Sequence, residues 1–332
     1  MRDPPSQSWL VIATAVVSIV LAIASVEVLL RVAGRGPWRP LRTYPYDPPP
    51  DVFHPILGWQ SRPGVHEFPG LGRYRIWPDG ARATSLTPGE HGPRVIVTGD
   101  SFTMGWGVGD QETFSWRLQE RYPSVDVRNY GTAGYGTYQS LLRLKLALKS
   151  RRDAPTLALY GFTELQELRN VGTLASMYVN AIANRAPVYL PFCLLRADEA
   201  LEHHAPETYP RWPGATRSAA VNALQHFSAW VRMHGRERQA RPVTEQLLKA
   251  MHRTARARGA EVFVVLLAAE ESRSHWIEVL GERDVPFIDC HERLTPDRII
   301  PGDRHPNAIT HGRWTECIAG RVGEWVRGVS AQ

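Results

Sequence analysis

From residue 94 to the C-terminus, short apolar runs alternate with segments of helical spacing. This rhythm restricts the fold more than any other feature. "RVIVTG", "VDVRNYG", "TLALYG", "AEVFVVLLA" and "VPFIDC" read as strands, the first a short buried one. Between and after them, "TFSWRLQERY", "TYQSLLRLKLALKSRR", "TEQLLKAMHRTARARG" and "HGRWTECIAGRVGEWVRG" carry helical spacing. In the third of these, Thr244 is the expected cap and Gly259 the expected stop. Strands alternating with helices predict a parallel sheet with helices on both faces. Residues 171–241 break the rhythm. They are expected to form an insertion with its own helix, covering one side of a cleft at the C-terminal edge of the sheet.

The N-terminus is of a different kind. Residues 10–26, "LVIATAVVSIVLAIASV", carry no charge, and with Trp9 before and "EVLLRV" after they approach the roughly 20 residues that cross a bilayer as a helix. Trp9 suits an interface, and Arg31 can snorkel at the far end. "AIAS", residues 22–25, also has the form of a signal-peptide cleavage site. Because the apolar run resumes after it and the basic region before it is only Arg2, an uncleaved anchor over residues 1–33 is the favoured reading. Orientation stays open: Arg31, Arg35, Arg39 and Arg42 follow the span, which by the positive-inside rule places the large C-terminal part in the cytoplasm. Residues 34–89, rich in Pro, Gly and aromatics, read as an extended strand-and-turn lead-in.

Hydrophobic residues make up 43% of the chain and charged residues 22%, enough for a sizeable core. The net charge of +6 comes from arginines scattered without runs, and no nucleic-acid motif is present, so no nucleic-acid partner is expected. Cys193, Cys290 and Cys317 lack the spacing of a zinc site. Cys290 and Cys317 sit in apolar surroundings and read as small buried hydrophobes. No metal and no cofactor is expected; "GVGDQE" is too short a glycine signal for a nucleotide.

Candidate chemistry begins at "VIVTGDSFTMGWG". Ser101 directly follows an apolar strand, where open α/β sheets place ligands, and Gly99 permits a tight turn. Its hydroxyl can be a nucleophile, yet Asp100 or Ser101 can equally be the cap of the next helix. A nucleophilic serine needs a base and a site for developing charge. "NYGTAGYGT", residues 129–137, offers glycine N–H groups or is an ordinary glycine-rich turn. Two histidines stand two residues after an aspartate: Asp289/His291 and Asp303/His305. The first pair begins at the end of a buried strand, where Asp289 fits a turn or supporting role. The second lies in a Pro/Gly/Asn loop free to lean over the sheet edge, which makes His305 the preferred base and Asp303 its orienting carboxylate. His203 and His204, in "LEHHAPE", read as surface residues.

"GDSFTMG", "NYGTAGYGT", "YGFTEL" and "DRHPN" stand in the order of the four blocks of the SGNH/GDSL hydrolases, and the sequence resembles membrane-anchored members of that superfamily. "LGWQSRPG", "PDGAR" and the anchor ending in "EVLLR" add to the resemblance, which covers most of the chain from residue 56 onward. The first and last blocks are specific and the middle two weak. The resemblance implies a three-layer α/β/α sandwich with a parallel sheet, SGNH-hydrolase-like and flavodoxin-like, over residues 90–330, behind one N-terminal transmembrane helix. It implies Ser101 as nucleophile, Asp303 and His305 completing a triad, and an oxyanion hole formed by the Ser101 N–H, the Gly134 N–H and a third donor. Two departures stand out. The spacing is Asp-x-His where the family usually has Asp-x-x-His, and the third block reads Gly161-Phe162-Thr163-Glu164 where the family has Gly-x-Asn-Asp. Thr163 then offers a short hydroxyl in place of an amide. Loss of a comparable donor costs about 10²–10³ in rate.

The resemblance implies a serine esterase acting on O-acyl, in particular O-acetyl, esters of carbohydrate or cell-envelope substrates, and, against the arginine count, a catalytic domain that is extracytoplasmic. An O-acyltransferase using the same triad and a non-catalytic binding protein of the same fold are the alternatives.

Overall fold

Between Trp9 and Val32, most large apolar side chains of α1 (Gln7–Val32) are exposed. Its 26 residues, at about 1.5 Å each, exceed the roughly 30 Å of a bilayer's hydrocarbon core. One helix is therefore long and apolar enough to cross a membrane. The computed structural model describes residues 7–39, 49–68, 72–89, 92–150, 154–183, 188–268 and 272–331. Arg2, Arg42 and the Pro-rich stretch 40–48 of the lead-in lie outside them.

The lead-in contains two antiparallel pairs, β1 (Asp51–His54) with β2 (Gly58–Ser61), and β3 (Gly64–Phe68) with β4 (Gly72–Ile76). It is no tether. Trp77, Ala81 and Ala83 are buried in the main core, and Arg82 is completely buried.

The body then follows the expected alternation: β5 (Arg94–Gly99), α2 (Ser101–Met104), α3 (Phe114–Arg121), β6 (Asp126–Asn129), α4 (Thr137–Ala147) and β7 (Thr156–Thr163). The insertion follows, with α5 (Gln166–Asn170) leading into α6 (Leu174–Ala183), the hairpin β8 (Leu190–Leu195)/β9 (Leu201–Glu207) and α7 (Ala219–Met233). Next come α8 (Ala240–Arg256), β10 (Ala260–Ala268), α9 (Arg273–Glu282), β11 (Phe287–Asp289) and α10 (Ala308–Ser330). Five strands form one parallel sheet in the order β6-β5-β7-β10-β11. Counted along the chain this is 2-1-3-4-5, the flavodoxin-like order, whose topological switch point falls between β5 and β7. Alternation along β5 sends Ile96 to the side of α4 and α8, and Val95 and Val97 to the side of α3 and α10. The result is a three-layer α/β/α sandwich.

Two local expectations are corrected. Cys290 and Cys317 do not sit as separate buried thiols; they form a disulfide, because α10 lies against the chain leaving β11 and brings the Cα atoms to 5.7 Å. Cys193 stays free and buried. Thr244 is not a cap: α8 starts at Ala240, and the Thr244 hydroxyl donates back to the Ala240 carbonyl inside the helix. Gly259 does follow the end of that helix, with φ +68°. His203 and His204 lie on strand β9, His203 exposed and His204 half-buried, with rings stacked on Tyr138 and Phe192.

Candidate active site

At the end of β5 the chain must turn sharply into α2 while keeping that helix close to the sheet. A Cβ on Gly99 would fall 2.1 Å from Thr103 Oγ1, and one on Gly161, its register partner in β7, would meet the same atom at 2.1 Å. Two glycines side by side thus let the first turn of α2 rest on the switch point. Asp100 is the cap: its Oδ1 accepts from the Phe102 N–H at 3.0 Å. That duty falls on the aspartate and leaves Ser101 free. The Ser101 N–H has no acceptor among the described residues, as expected for the first residue of a helix.

Ser101 and His305 are 204 positions apart in sequence, yet His305 Nε2 lies 2.9 Å from Ser101 Oγ. The other ring nitrogen, Nδ1, is hydrogen-bonded to Asp303 Oδ1. An ionised carboxylate only accepts, so Nδ1 carries the proton and the Nε2 lone pair faces the serine hydroxyl. Asp303 Oδ2 accepts from the Trp106 indole N–H at 3.1 Å, and the rings of Phe102 and Trp106 lie 5.6 and 5.9 Å from the imidazole. The short Asp-x-His spacing works because Arg304 between them takes a left-handed conformation, φ +65°. Below the loop, the Ile300 N–H donates to the His305 carbonyl, and Asn307 caps α10 by accepting from the N–H groups of Ile309 and Thr310. "DRHPN" is thus a stapled turn ending in a helix cap. Asp289 and His291, the other pair, are not part of this constellation; Asp289 is held by Arg273, which keeps its carboxyl below the ordinary range.

The loop after β6 continues the sheet: the Thr132 N–H donates to the Gly99 carbonyl at 3.1 Å. Two residues on, Gly134 sits at φ +80°, a conformation that favours glycine, and its N–H has no acceptor among the described residues. The carbonyls on either side of it are fixed: Ala133 accepts from Trp59 Nε1 at 3.0 Å, and Tyr135 accepts from Arg169 Nη1 at 2.9 Å. Thr163 is placed differently from its expected role. Its hydroxyl donates its single proton to Asp100 Oδ2 at 2.9 Å, inside the fold, which leaves none for an oxyanion. The same Oδ2 lies 3.3 Å from Arg169 Nη1.

Three supporting residues escape sequence reasoning. Arg169 bridges the turn of Ser101 to the loop of Gly134. Trp59, from "LGWQ", secures that loop from the lead-in. Arg82, from "PDGAR", inserts its buried guanidinium under the end of α2, donating to the carbonyls of Met104, Gly105 and Val108 and pairing with Asp110 at 3.0 Å. Burial lowers the Arg82 pKa and Asp110 opposes this. A cavity of about 320 Å³ lined by Ile56, Leu146, Lys149 and Arg258 opens at the far ends of α4 and α8, the sheet edge opposite Ser101. Among the described residues no cluster of side chains suits a metal ion.

His311 anchors the first turn of α10 behind the His305 loop. It is wholly buried, stacked on Phe114, and burial drives its pKa down to about 3, with Arg82 and Arg117 adding to the effect. The unfolded chain takes up this proton near pH 6.5, and the folded one does not until about pH 3. Stability is therefore lost as pH falls through that window, by roughly 1.4 kcal/mol per pH unit. Urea denaturation at pH 7 and 4.5 is expected to differ by about 2–3 kcal/mol from this group. In His311→Gln the slope flattens; an unchanged slope rejects the assignment.

No family model and no curated protein matches the sequence. Solved structures do. A lipolytic protein of the G-D-S-L family from Veillonella parvula is 12% identical, with 68% of this chain and 96% of that one covered and a TM-score of 0.41. The psychrotrophic esterase EstA from Pseudoalteromonas sp. is 12% identical over 70% of this chain and 98% of its own, TM-score 0.41. The acetylxylan esterase Axe2 from Geobacillus stearothermophilus, as a catalytic mutant, is 11% identical over 72% and 98%, TM-score 0.40.

Proposed function

We propose that the chain is a membrane-anchored serine esterase that forms an acyl-enzyme at Ser101. One observation carries the reading: Ser101 Oγ lies 2.9 Å from the imidazole nitrogen left unprotonated by the Asp303 contact. In the proposed reaction His305 Nε2 takes the hydroxyl proton as Oγ bonds to the ester carbonyl carbon. The N–H groups of Ser101 and Gly134 receive the developing oxyanion. His305 then returns the proton to the departing alkoxide oxygen, the ester C–O bond breaks, and the acyl group stays on Ser101. Water, deprotonated by the same imidazole, then bonds to the acyl carbon, the bond from that carbon to Ser101 Oγ breaks, His305 returns the proton to Oγ, and the free acid leaves. Thr163 and Arg169 act on this reading through Asp100.

The proposed units are the anchor, 1–33, the lead-in, 34–89, and the catalytic domain, 90–330, with the insertion 171–241. The sequence resemblance to anchored family members points to O-acetyl or other O-acyl esters of carbohydrate or cell-envelope material. The Cys290–Cys317 disulfide favours an oxidising compartment and hence an extracytoplasmic catalytic domain. Arg31, one of the arginines that favours the opposite orientation, is engaged with Glu27 and the Arg217 carbonyl.

A fluorophosphonate probe is expected to label the wild type at Ser101 and to leave Ser101→Ala unlabelled. Equal labelling of both, or of neither, removes the enzyme reading and leaves a binding protein. Given an activated acetyl ester with and without an oligosaccharide, the protein is expected to release free acetate in both cases. Acetylated sugar in place of acetate replaces the hydrolase with the acyltransferase.

A further inference from the structure

Helix α7 is apolar on two faces. Ala229 and Met233 point inward, into the cluster that contains Trp59 and Tyr135 beside the Gly134 loop. On the other side Leu224, Phe227, Trp230 and Val231 stand 59, 60, 47 and 55% exposed. They recur at the spacing of a helical stripe, so the exposure is a continuous face and not scattered side chains.

The attachment of α7 to α1 shows what this face meets. Glu27, on α1, accepts hydrogen bonds from the N–H groups of Ala219 and Ala220 at 2.8 and 2.9 Å and from the Ser218 hydroxyl at 2.8 Å. Arg31 donates to the Arg217 carbonyl, and the Asn222 amide donates to the Gly36 carbonyl. First-turn N–H groups point along a helix axis, whereas a glutamate projects from the side of its helix. α7 therefore starts on the flank of α1 and runs away across it. Glu27 is the first charge after the uncharged run 10–26, which puts this junction at the boundary of the hydrocarbon. Phe227 lies eight residues into α7, about 12 Å along it. Trp230 and the flanking Arg217 and Arg232 are the residue types that lie at a membrane interface.

We propose that α7 lies in the plane of the membrane surface, with Leu224, Phe227, Trp230 and Val231 seated in the acyl-chain boundary of the bilayer. The inference rests on the reading of α1 as a membrane span. It gives the body a fixed attitude on the bilayer, because the opposite face of α7 packs on the cluster that positions the Gly134 loop. A second copy of the chain on the same stripe is the competing occupant.

The test uses the full chain in nanodiscs of phosphatidylcholine and phosphatidylglycerol. Single variants Ile19→Cys, Leu224→Cys, Phe227→Cys, Val231→Cys and Arg232→Cys are spin-labelled; the native cysteines are buried or paired and do not compete. Variants whose circular dichroism melt departs from wild type are set aside, and the remaining stripe positions are read. The expected result is oxygen accessibility well above that of an aqueous nickel complex at 224, 227 and 231, as at 19, and the reverse at 232. Nickel-accessible labels on the stripe with a lipid-exposed label at 19 overturn the proposal and leave the anchor intact. Dipolar broadening between labels at 227 without lipid access overturns it in favour of the second copy. A nickel-accessible label at 19 removes the anchor and this proposal together.

Discussion

Ser101→Ala is expected to lower ester turnover by about 10⁶-fold, and His305→Ala by a similar factor, with the double variant no worse than either. Non-additivity is the informative part. Once the hydroxyl is gone, the imidazole at 2.9 Å has no proton to take, so removing it costs nothing more. Asp303→Ala is expected to cost about 10⁴-fold, because the ring loses the partner that fixes its tautomer while Ser101 and the oxyanion donors remain. Trp106→Phe keeps the ring beside His305 and removes only the indole N–H on Asp303 Oδ2. About a tenfold loss is expected, the usual worth of one hydrogen bond to a charged group. Steady-state hydrolysis of an activated acetate ester measures all five. Turnover of Ser101→Ala within tenfold of wild type sinks the nucleophile assignment, whatever the other variants do.

The parts of this site that are local in sequence were legible in it. Gly99-Asp100-Ser101 after an apolar strand, and Asp303 through Asn307 before a helix, each encode their own backbone: a glycine where a helix must approach the sheet, a capping side chain, a proline and an asparagine ahead of a first turn. The sheet was legible for the same reason, since strand and helix periods are properties of short segments. What was not legible depends on which distant segments meet. Thr163 stands where the sequence resemblance places an amide-bearing residue, yet its hydroxyl turns to Asp100 because β5 and β7 are neighbours and the Asp100 carboxylate oxygen not used in capping lies within reach. Cys290 and Cys317 pair because α10 returns across the end of β11, a fact of packing that no spacing rule contains. Nothing in "PDGAR" marks Arg82 as buried; it is, because α2 ends in carbonyls that need donors. α8 begins at Ala240 rather than at Thr244, where the hydrophobic pattern starts, because the helix extends through residues that the pattern does not mark.

Arg169→Ala is expected to lower kcat by about 10²-fold with little change in KM, the size of effect that a misplacement near 1 Å produces. Arg169 reaches Asp100 Oδ2 at 3.3 Å and the Tyr135 carbonyl at 2.9 Å with the same nitrogen. One of these residues adjoins Ser101 and the other adjoins Gly134, so Arg169 sets the distance between the two N–H groups assigned to the oxyanion. Substrate binding in the ground state does not use that distance; the tetrahedral intermediate does. The fluorophosphonate labelling rate is therefore expected to fall in parallel with kcat, because the phosphonyl oxygen occupies the same position, whereas a general loosening of the fold raises KM as well. Arg169→Lys keeps the charge but not the planar fork, and falls between alanine and wild type. Thr163→Val removes the hydroxyl that shares Asp100 Oδ2 and is expected to cost about tenfold alone. Combined with Arg169→Ala it adds less than its single effect, since both act on one carboxylate. Removing the cation from a buried carboxylate also costs stability, up to about 3–5 kcal/mol, so the kinetics belong well below the melting temperature of the variant. Wild-type kcat in Arg169→Ala at such a temperature assigns the bridge to stability alone and leaves Ser101 and Gly134 positioned by the sheet.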